Sequence, residues 1–207
     1  MSASRIAIAA AALVAFVALG LAVSHAAPSG IDLAGAALAG QAPRLALIFT
    51  ESGTFPVLAC IVAASLVLAW RSPRWRTRAL TFAVTIPVMW KVSDFCKAAF
   101  GRPRPPYWRL IHETSASYPS GHAMWAVLVY WLWAWLVWRS GLPRAVRIVT
   151  STVLALWGCG VIWSRLALGA HYVTDLAGGI LLGIVALGVA NAVRAAGARR
   201  GGSNLVP

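Results

Sequence analysis

Six long apolar runs dominate this 207-residue sequence and limit what it can fold into. About 20 helical residues cross the roughly 30 Å hydrocarbon core of a bilayer, and a helix satisfies its own backbone hydrogen bonds there. Hydrophobic residues make up 60% of the chain and charged residues only 11%, which excludes an ordinary soluble domain. The sequence predicts an all-α, polytopic membrane bundle that forms a single domain over residues 1–207. The predicted spans are residues 6–24, 55–70, 79–99, 122–138, 148–168 and 175–193, and a flexible tail is predicted over 194–207.

The first apolar run has two interpretations. Ser24-His25-Ala26 followed by Ala27 resembles the small-residue cleavage site of a signal peptide. The run is longer than a usual signal core and further spans follow it, so we favour a retained first span. The mixed segment after it, residues 28–54, contains two short apolar stretches at 33–38 and 45–49, which are predicted to form interfacial helices.

Clusters of arginine predict how the bundle is oriented. The net charge of +13 comes mainly from arginines in short groups that flank the apolar runs. This arrangement favours contact with anionic lipid head groups and gives no reason to expect a nucleic-acid partner. Because the spans cross the membrane in alternating directions, one side receives Arg5, the loops at 71–78 and 139–147 and the tail. The positive-inside rule makes this side cytoplasmic. Both termini are therefore predicted to be cytoplasmic.

Three arginines break this bias on the opposite, outer side: Arg102, Arg104 and Arg109. The other unusual polar residues fall on the same side, at the end of the third span, the start of the fourth, the end of the fifth and the start of the sixth. Ionisable groups at such positions usually face a cavity and serve a function. The outer face is therefore predicted to carry a site for an anion.

Five residues on this face are candidates for binding the anion. Lysine offers a compact charge and arginine a planar pair of donors for phosphate oxygens, which singles out Lys97, Arg104 and Arg165. Ser120 is predicted to be the N-cap of the fourth span, and Gly121 permits close approach of the backbone to a ligand. The alternatives are that the cations contact lipid head groups and that the Ser-Gly pair only begins a helix.

Three further residues suggest acid–base and nucleophilic chemistry. His171 and Asp175 are spaced i, i+4, so a helical start to the sixth span would stack them on one face, and the carboxylate would fix the tautomer of the imidazole. A His–Asp helix cap is the alternative. His122, just inside the fourth span, could protonate a leaving oxygen. No metal-ligand spacing is present, so no metal or other cofactor is expected, and the cations would stabilise a phosphate directly.

Three separated motifs carry a resemblance to a known family. Lysine, six residues and Arg-Pro occupy residues 97–105; Pro-Ser-Gly-His occupies 119–122; Ser-Arg, five residues, His, three residues and Asp occupy 164–175. In this order the chain resembles the type-2 phosphatidic acid phosphatase superfamily, which includes the vanadium haloperoxidases. The predicted membrane spans argue against the haloperoxidase branch.

The resemblance implies a metal-independent phosphatase that works through a phosphohistidine intermediate. It makes His171 the nucleophile, Asp175 the residue that orients it and His122 the general acid for the leaving group. The residues that it implies for holding the phosphate are Lys97, Arg104, Ser120, Gly121 and Arg165.

The sequence thus predicts an integral membrane hydrolase that removes phosphate from a membrane lipid at the outer face of a bacterial inner (plasma) membrane. Undecaprenyl diphosphate, phosphatidylglycerophosphate and phosphatidic acid all fit as substrates. A lipid phosphotransferase with the same intermediate is one alternative, and a non-enzymatic protein that binds or transports a lipid phosphate is another. The identity of the lipid, the acceptor and the oligomeric state stay open.

Overall fold

A computed structural model describes residues 3–106, 111 and 113–203, with Arg74 and residues 197–203 described by their backbone alone. This part of the chain consists of helices and loops and contains no β-strand. The all-α architecture predicted from the sequence is therefore confirmed. Arg109 and residues 204–207 of the predicted tail lie outside the described residues.

The helices follow one another with short connections. In chain order they are α1 (Ala3–Val23), α2 (Gly30–Ala36), α3 (Pro43–Glu51), α4 (Phe55–Arg71), α5 (Pro73–Phe100), α6 (Gly121–Trp125), α7 (Leu132–Trp138), α8 (Arg144–Ala167) and α9 (Val173–Ser203), with a π-helical segment, Ala126–Trp131, joining α6 to α7. Proline stands in the first turn of α3, α4 and α5, where its missing N–H costs no helical hydrogen bond. Gly101, at φ 62°, ends α5 in the left-handed conformation.

Six segments of the described chain are long and apolar enough to cross a membrane, which confirms the number of spans predicted and identifies an integral membrane protein. These segments are Ala3–Val23, Pro43–Arg71, Trp75–Phe100, Gly121–Trp138, Arg144–Ala167 and Val173–Ala196. Many of their large apolar side chains are exposed on the outside of the bundle, as expected of a surface that meets lipid.

The ends of three elements differ from the prediction. α5 begins at Pro73, six residues before the predicted start of the third span, because a proline-led turn carries the basic loop into the helix. α9 continues to Ser203, so the backbone is helical over 194–203, within the segment predicted to be a flexible tail. The interfacial helix predicted at 45–49 lies inside α3, a helix of nine residues that belongs to the same apolar segment as α4.

The bundle is closed by packing between the first and last helices and between neighbouring helices. α1 packs along α9, α4 along α5, and α7 along α8. The rings of Phe16 in α1 and Tyr118 stack with their centroids 5.5 Å apart, and the Tyr118 hydroxyl donates a 2.6 Å hydrogen bond to the Phe16 carbonyl. The segment that leads into α6 is therefore fixed against α1.

Two adjacent glycines allow this same segment to lie against α9. A Cβ atom on Gly178 would come within 2.2 Å of the Tyr118 ring, and one on Gly179 within 2.2 Å of the Ser120 carbonyl oxygen. Contacts this short do not occur, so any larger residue would push the segment away from α9. Glycine at these positions sets the distance between the start of α6 and the first turns of α9.

Candidate active site

Polar side chains from four parts of the chain meet at one end of the bundle. They come from the end of α5 and the loop after it, from residues 113–122, from the end of α8 and from the turn that leads into α9. Hydrogen bonds link these parts to one another across more than 50 residues of sequence. The structure thus brings together the residues that the sequence singled out on one face.

His171 lies in the turn between α8 and α9 and is 1% exposed. Its Nε2 is 3.2 Å from Nη1 of Arg104, which also donates a 2.8 Å hydrogen bond to the Ala170 carbonyl. Because a guanidinium only donates, Nε2 must be the accepting nitrogen, and the ring proton then belongs on Nδ1. The lone pair of Nε2 is therefore directed at a cation.

The contact between His171 and Asp175 is made differently from the prediction. Nδ1 of His171 is 3.4 Å from Oδ2 of Asp175, and that oxygen also accepts the hydroxyl of Ser117 and, at 2.9 Å, the backbone N–H of Tyr172. Since α9 begins only at Val173, His171 precedes the helix, and the predicted stack on one helical face is wrong. Asp175 instead reaches back over the first turn, as an acidic residue does in a capping box.

The surroundings of His171 favour its neutral form. Burial lowers the pKa of His171 well below its usual value, and the charges of Arg104, Arg165 and Lys97 lower it further. A neutral imidazole with its proton on Nδ1 keeps a lone pair on Nε2 near pH 7. The site therefore holds a histidine that can act as a nucleophile or accept a proton.

Arg165 lies in the last turn of α8 as a buried cation, with 1% of its surface exposed. Its guanidinium donates to the hydroxyl of Thr50 and to the carboxylate of Glu113, while its Nε has no hydrogen-bond partner. The other oxygen of Glu113 is 3.5 Å from Arg104. Burial would raise the pKa of Glu113, but Arg165 and Arg104 outweigh it and hold that pKa below its usual value. The two arginines therefore already bind one anionic group of the chain itself.

Lys97 lies in the last turn of α5 beside the same cations. Its Nζ donates to the Ala116 carbonyl at 3.1 Å and to the Ser115 hydroxyl at 3.3 Å. Arg104 donates to the carbonyl of Ser115 at 2.8 Å and to its hydroxyl at 3.2 Å. Both cations thus hold the loop before α6, and a cavity of about 360 Å³, lined by residues 101–104 and 113–116, adjoins them.

Ser120 occupies the predicted N-cap position of α6, but its side chain does not cap the helix. The Oγ is buried without a hydrogen-bond partner, while the backbone N–H donates to the Asp175 carbonyl at 3.0 Å. A buried hydroxyl of this kind costs free energy unless a ligand satisfies it. A Cβ atom on the neighbouring Gly121 would meet nothing closer than 3.7 Å, so this glycine is not required by packing against the protein.

His122 follows in the first turn of α6 and is held from α3. Its Nε2 is 3.2 Å from the carbonyl oxygen of Thr50, the residue whose hydroxyl accepts from Arg165. Because a carbonyl oxygen only accepts, Nε2 carries a proton in this contact, and Nδ1 is the ring nitrogen left for a proton transfer. The backbone of Gly53 lies against the ring, where a Cβ atom would be 2.5 Å from Cδ2.

Sequence reasoning missed several residues that complete the site. Arg102 was noted only as an exception to the arginine bias, and Glu113, Ser117 and Thr50 carried no motif or periodicity that would mark them. Asp32 also gave no signal as a site residue, although its spacing from Ser29 matches the capping box that begins α2. All five become visible only when distant segments are brought together.

The fold and the site define a polytopic helical membrane protein with a buried histidine and three cations at one end of the bundle. The chain belongs to the PAP2 superfamily, whose family model matches residues 77–197. The resemblance inferred from the three motifs is therefore confirmed.

Two bacterial proteins match parts of the chain. The chain is 38% identical over 89 residues to phosphatidylglycerophosphatase B of Bacillus subtilis (strain 168), and 42% identical over 64 residues to phosphatidylglycerophosphatase B of Escherichia coli (strain K12). These matches cover 41% and 31% of this chain, and 42% and 23% of the relatives' own lengths, so less than half of either relative is matched.

A solved structure matches the chain over most of its length. The crystal structure of a transmembrane PAP2-type phosphatidylglycerolphosphate phosphatase from Bacillus subtilis superimposes with a TM-score of 0.72. The match covers 89% of this chain and 94% of that one at 23% sequence identity. At this identity the likeness shows a shared fold.

Because Glu113 binds Arg165 and Arg104, it should compete with an added anion. We expect Glu113→Gln to bind inorganic phosphate more tightly, by about 3- to 10-fold, because it removes one negative charge within contact distance of the cations. The measurement is the rise in unfolding temperature of the detergent-purified protein with phosphate concentration.

Glu51→Gln is the matched control, since it makes the same charge change at an exposed side chain of α3. It should leave phosphate affinity within about twofold of the wild type. Unchanged or weaker phosphate binding by Glu113→Gln would show that Glu113 does not compete for the site.

Proposed function

We propose that this chain is an integral membrane phosphatase that hydrolyses the phosphate of a membrane lipid through a phosphohistidine intermediate, without a metal ion. The observation that carries the proposal is the position of His171: a buried, neutral imidazole whose Nε2 lies 3.2 Å from Arg104 in a group of three cations. A nucleophile with an adjacent orienting carboxylate and preorganised positive charge is what phosphoryl transfer requires.

In the first step, Nε2 of His171 attacks the phosphorus and the bond from phosphorus to the lipid oxygen breaks. The proton on Nδ1 points to Asp175, which stabilises the positive charge that develops on the ring. His122, protonated at both ring nitrogens in this step, gives its Nδ1 proton to the leaving lipid oxygen, so the lipid departs as an alcohol or, from a diphosphate, as a monophosphate. The phosphoryl group is then held on nitrogen.

In the second step, water attacks the phosphorus and the nitrogen–phosphorus bond breaks. His122, now neutral, takes the proton from the water, which restores both histidines and releases inorganic phosphate. Lys97, Arg104 and Arg165 neutralise the phosphoryl oxygens in both steps, and the burial of Arg165 increases the strength of its interaction. The unpaired Nε–H of Arg165 and the hydroxyl of Ser120 are further donors suited to those oxygens.

For the substrate we propose phosphatidylglycerophosphate ahead of other lipids. Relatives from two bacteria that match this chain over part of its length are named phosphatidylglycerophosphatase B. The position of the site at one end of the bundle suits a head group at the membrane surface with acyl chains along the apolar exterior. Undecaprenyl diphosphate and phosphatidic acid are the comparison substrates.

The direct test is phosphate release by the purified protein in detergent with a chelator present. We expect phosphatidylglycerophosphate to give the highest kcat/KM of the three lipids. His171→Ala should lower kcat by at least about 10³-fold because it removes the nucleophile. His25→Ala, at an exposed histidine that joins no part of the site, is the matched control and should keep full activity.

Three results would contradict the proposal. Loss of activity in the chelator would exclude a metal-free mechanism, and full activity of His171→Ala would assign the nucleophile elsewhere. Formation of a phosphorylated lipid acceptor without free phosphate would identify a phosphotransferase instead.

We also propose that the site faces the periplasm or exterior and that both termini are cytoplasmic, following the arginine bias of the loops. In a background with the three native cysteines replaced, Thr114→Cys lies beside the site and Gly141→Cys lies in the loop between α7 and α8. A membrane-impermeant maleimide added to intact cells should label the first and should label the second only after permeabilisation. The reverse pattern would invert the topology.

A further inference from the structure

Asp32 is a buried carboxylate outside the family motifs and outside the six apolar segments. It belongs to α2, a helix of seven residues, and is 1% exposed. Its Oδ1 accepts the backbone N–H and the hydroxyl of Thr174 at 2.9 and 2.8 Å, and its Oδ2 lies 2.9 Å from Nη2 of Arg102. Burial would raise the pKa of Asp32, but the hydrogen bonds from Thr174, Arg102 and Ser29 outweigh it and hold the pKa below its usual value. Asp32 is therefore an anion in the folded protein.

Arg102 joins this carboxylate to Asp175. While Nη2 binds Asp32, Nη1 donates to Oδ1 of Asp175 at 2.6 Å and to the hydroxyl of Thr174 at 2.7 Å. The guanidinium also lies over the ring of Tyr172, 4.3 Å from its centroid, and is 2% exposed. One planar cation is thus fixed between two buried carboxylates, which is the geometry that a guanidinium suits and an ammonium does not.

Arg102 binds two carboxylates at once, and this determines which oxygen of Asp175 remains directed at His171. Arg102 contacts only Oδ1 of Asp175, whereas Oδ2 faces Nδ1 of His171. Two negative charges share one positive charge, so Arg102 neutralises Asp175 only in part. The carboxylate can therefore still stabilise positive charge on the imidazole. Without Asp32, Arg102 would be free to bind both oxygens of Asp175. The carboxylate would then stabilise positive charge on the His171 ring less well.

We propose that Asp32 is a positioning residue for the reaction: it holds Arg102 so that one oxygen of Asp175 stays directed at His171. This inference rests on the proposed function, because it assigns a role within the same site. Asp32 acts through Arg102 and Asp175 and contacts neither Lys97 nor Arg165. Its loss should therefore change the chemical step and leave phosphate binding intact.

The test is Asp32→Asn, which keeps the size of the side chain and leaves Arg102 paired with Asp175. We expect kcat for lipid phosphate release to fall by roughly 10- to 100-fold, with KM and the affinity for inorganic phosphate within about threefold of the wild type. Phosphate affinity is measured as the concentration dependence of the unfolding temperature.

Ser29→Ala is the matched control. It removes the side-chain half of the capping box of α2 and keeps the ion pair between Asp32 and Arg102. Because it perturbs only the start of that helix, kcat should stay within about twofold of the wild type. An equal loss of kcat in Ser29→Ala and Asp32→Asn would show that α2 has only a structural role.

A second variant covers failure of Asp32→Asn to fold. Arg102→Lys keeps a cation opposite Asp175, so this buried carboxylate stays paired, but an ammonium does not bridge the two carboxylates as the guanidinium does. It should fold and show the same fall in kcat, because Asp175 is no longer held with one oxygen directed at His171. Wild-type kcat in either variant would overturn the inference. Absence of phosphate release by the wild-type protein would instead overturn the proposed function.

Discussion

Charges that are buried in an apolar bundle must be paired, and this requirement determines how the side chains are arranged at this end of the protein. Arg102 meets it by binding two carboxylates, one from α2 and one from α9, so residues 70 or more apart in sequence are joined in one network. Arg165 meets it by binding Glu113 and Thr50. Breaking a buried pair leaves a charge that water cannot reach, which costs several kcal/mol. These pairs therefore help to fix the loops that carry the site.

The same pairing gives the site its chemical character. His171 lies among cations that disfavour its protonation, and its Nδ1 lies near a carboxylate that would stabilise positive charge once a bond forms at Nε2. Glu113 contacts both Arg165 and Arg104, which shows that an anionic oxygen group fits between these two cations. The site is thus arranged for a group that brings negative charge, and phosphate is the group that its donors match.

The length of the apolar runs predicted the helices well, because the thickness of the bilayer sets that length. Their ends were predicted less well: α9 continues past residue 193 into a segment where arginines end the apolar run, so hydropathy gives no signal for the helix there. The three motifs predicted which residues would meet. They could not predict that the Ser120 hydroxyl makes no cap bond, or that Asp32 and Glu113 complete the network, because those contacts depend on how separate segments pack.

If a phosphoryl group passes through His171 during the reaction, it can be trapped there directly. Purified protein would be mixed with phosphatidylglycerophosphate labelled in the terminal phosphate, quenched within milliseconds at alkaline pH and digested for mass spectrometry. We expect an acid-labile phosphoryl group on the peptide that contains His171, at Nε2 of its ring. Label on another residue, or phosphate release with no phosphoenzyme at any time, would contradict it.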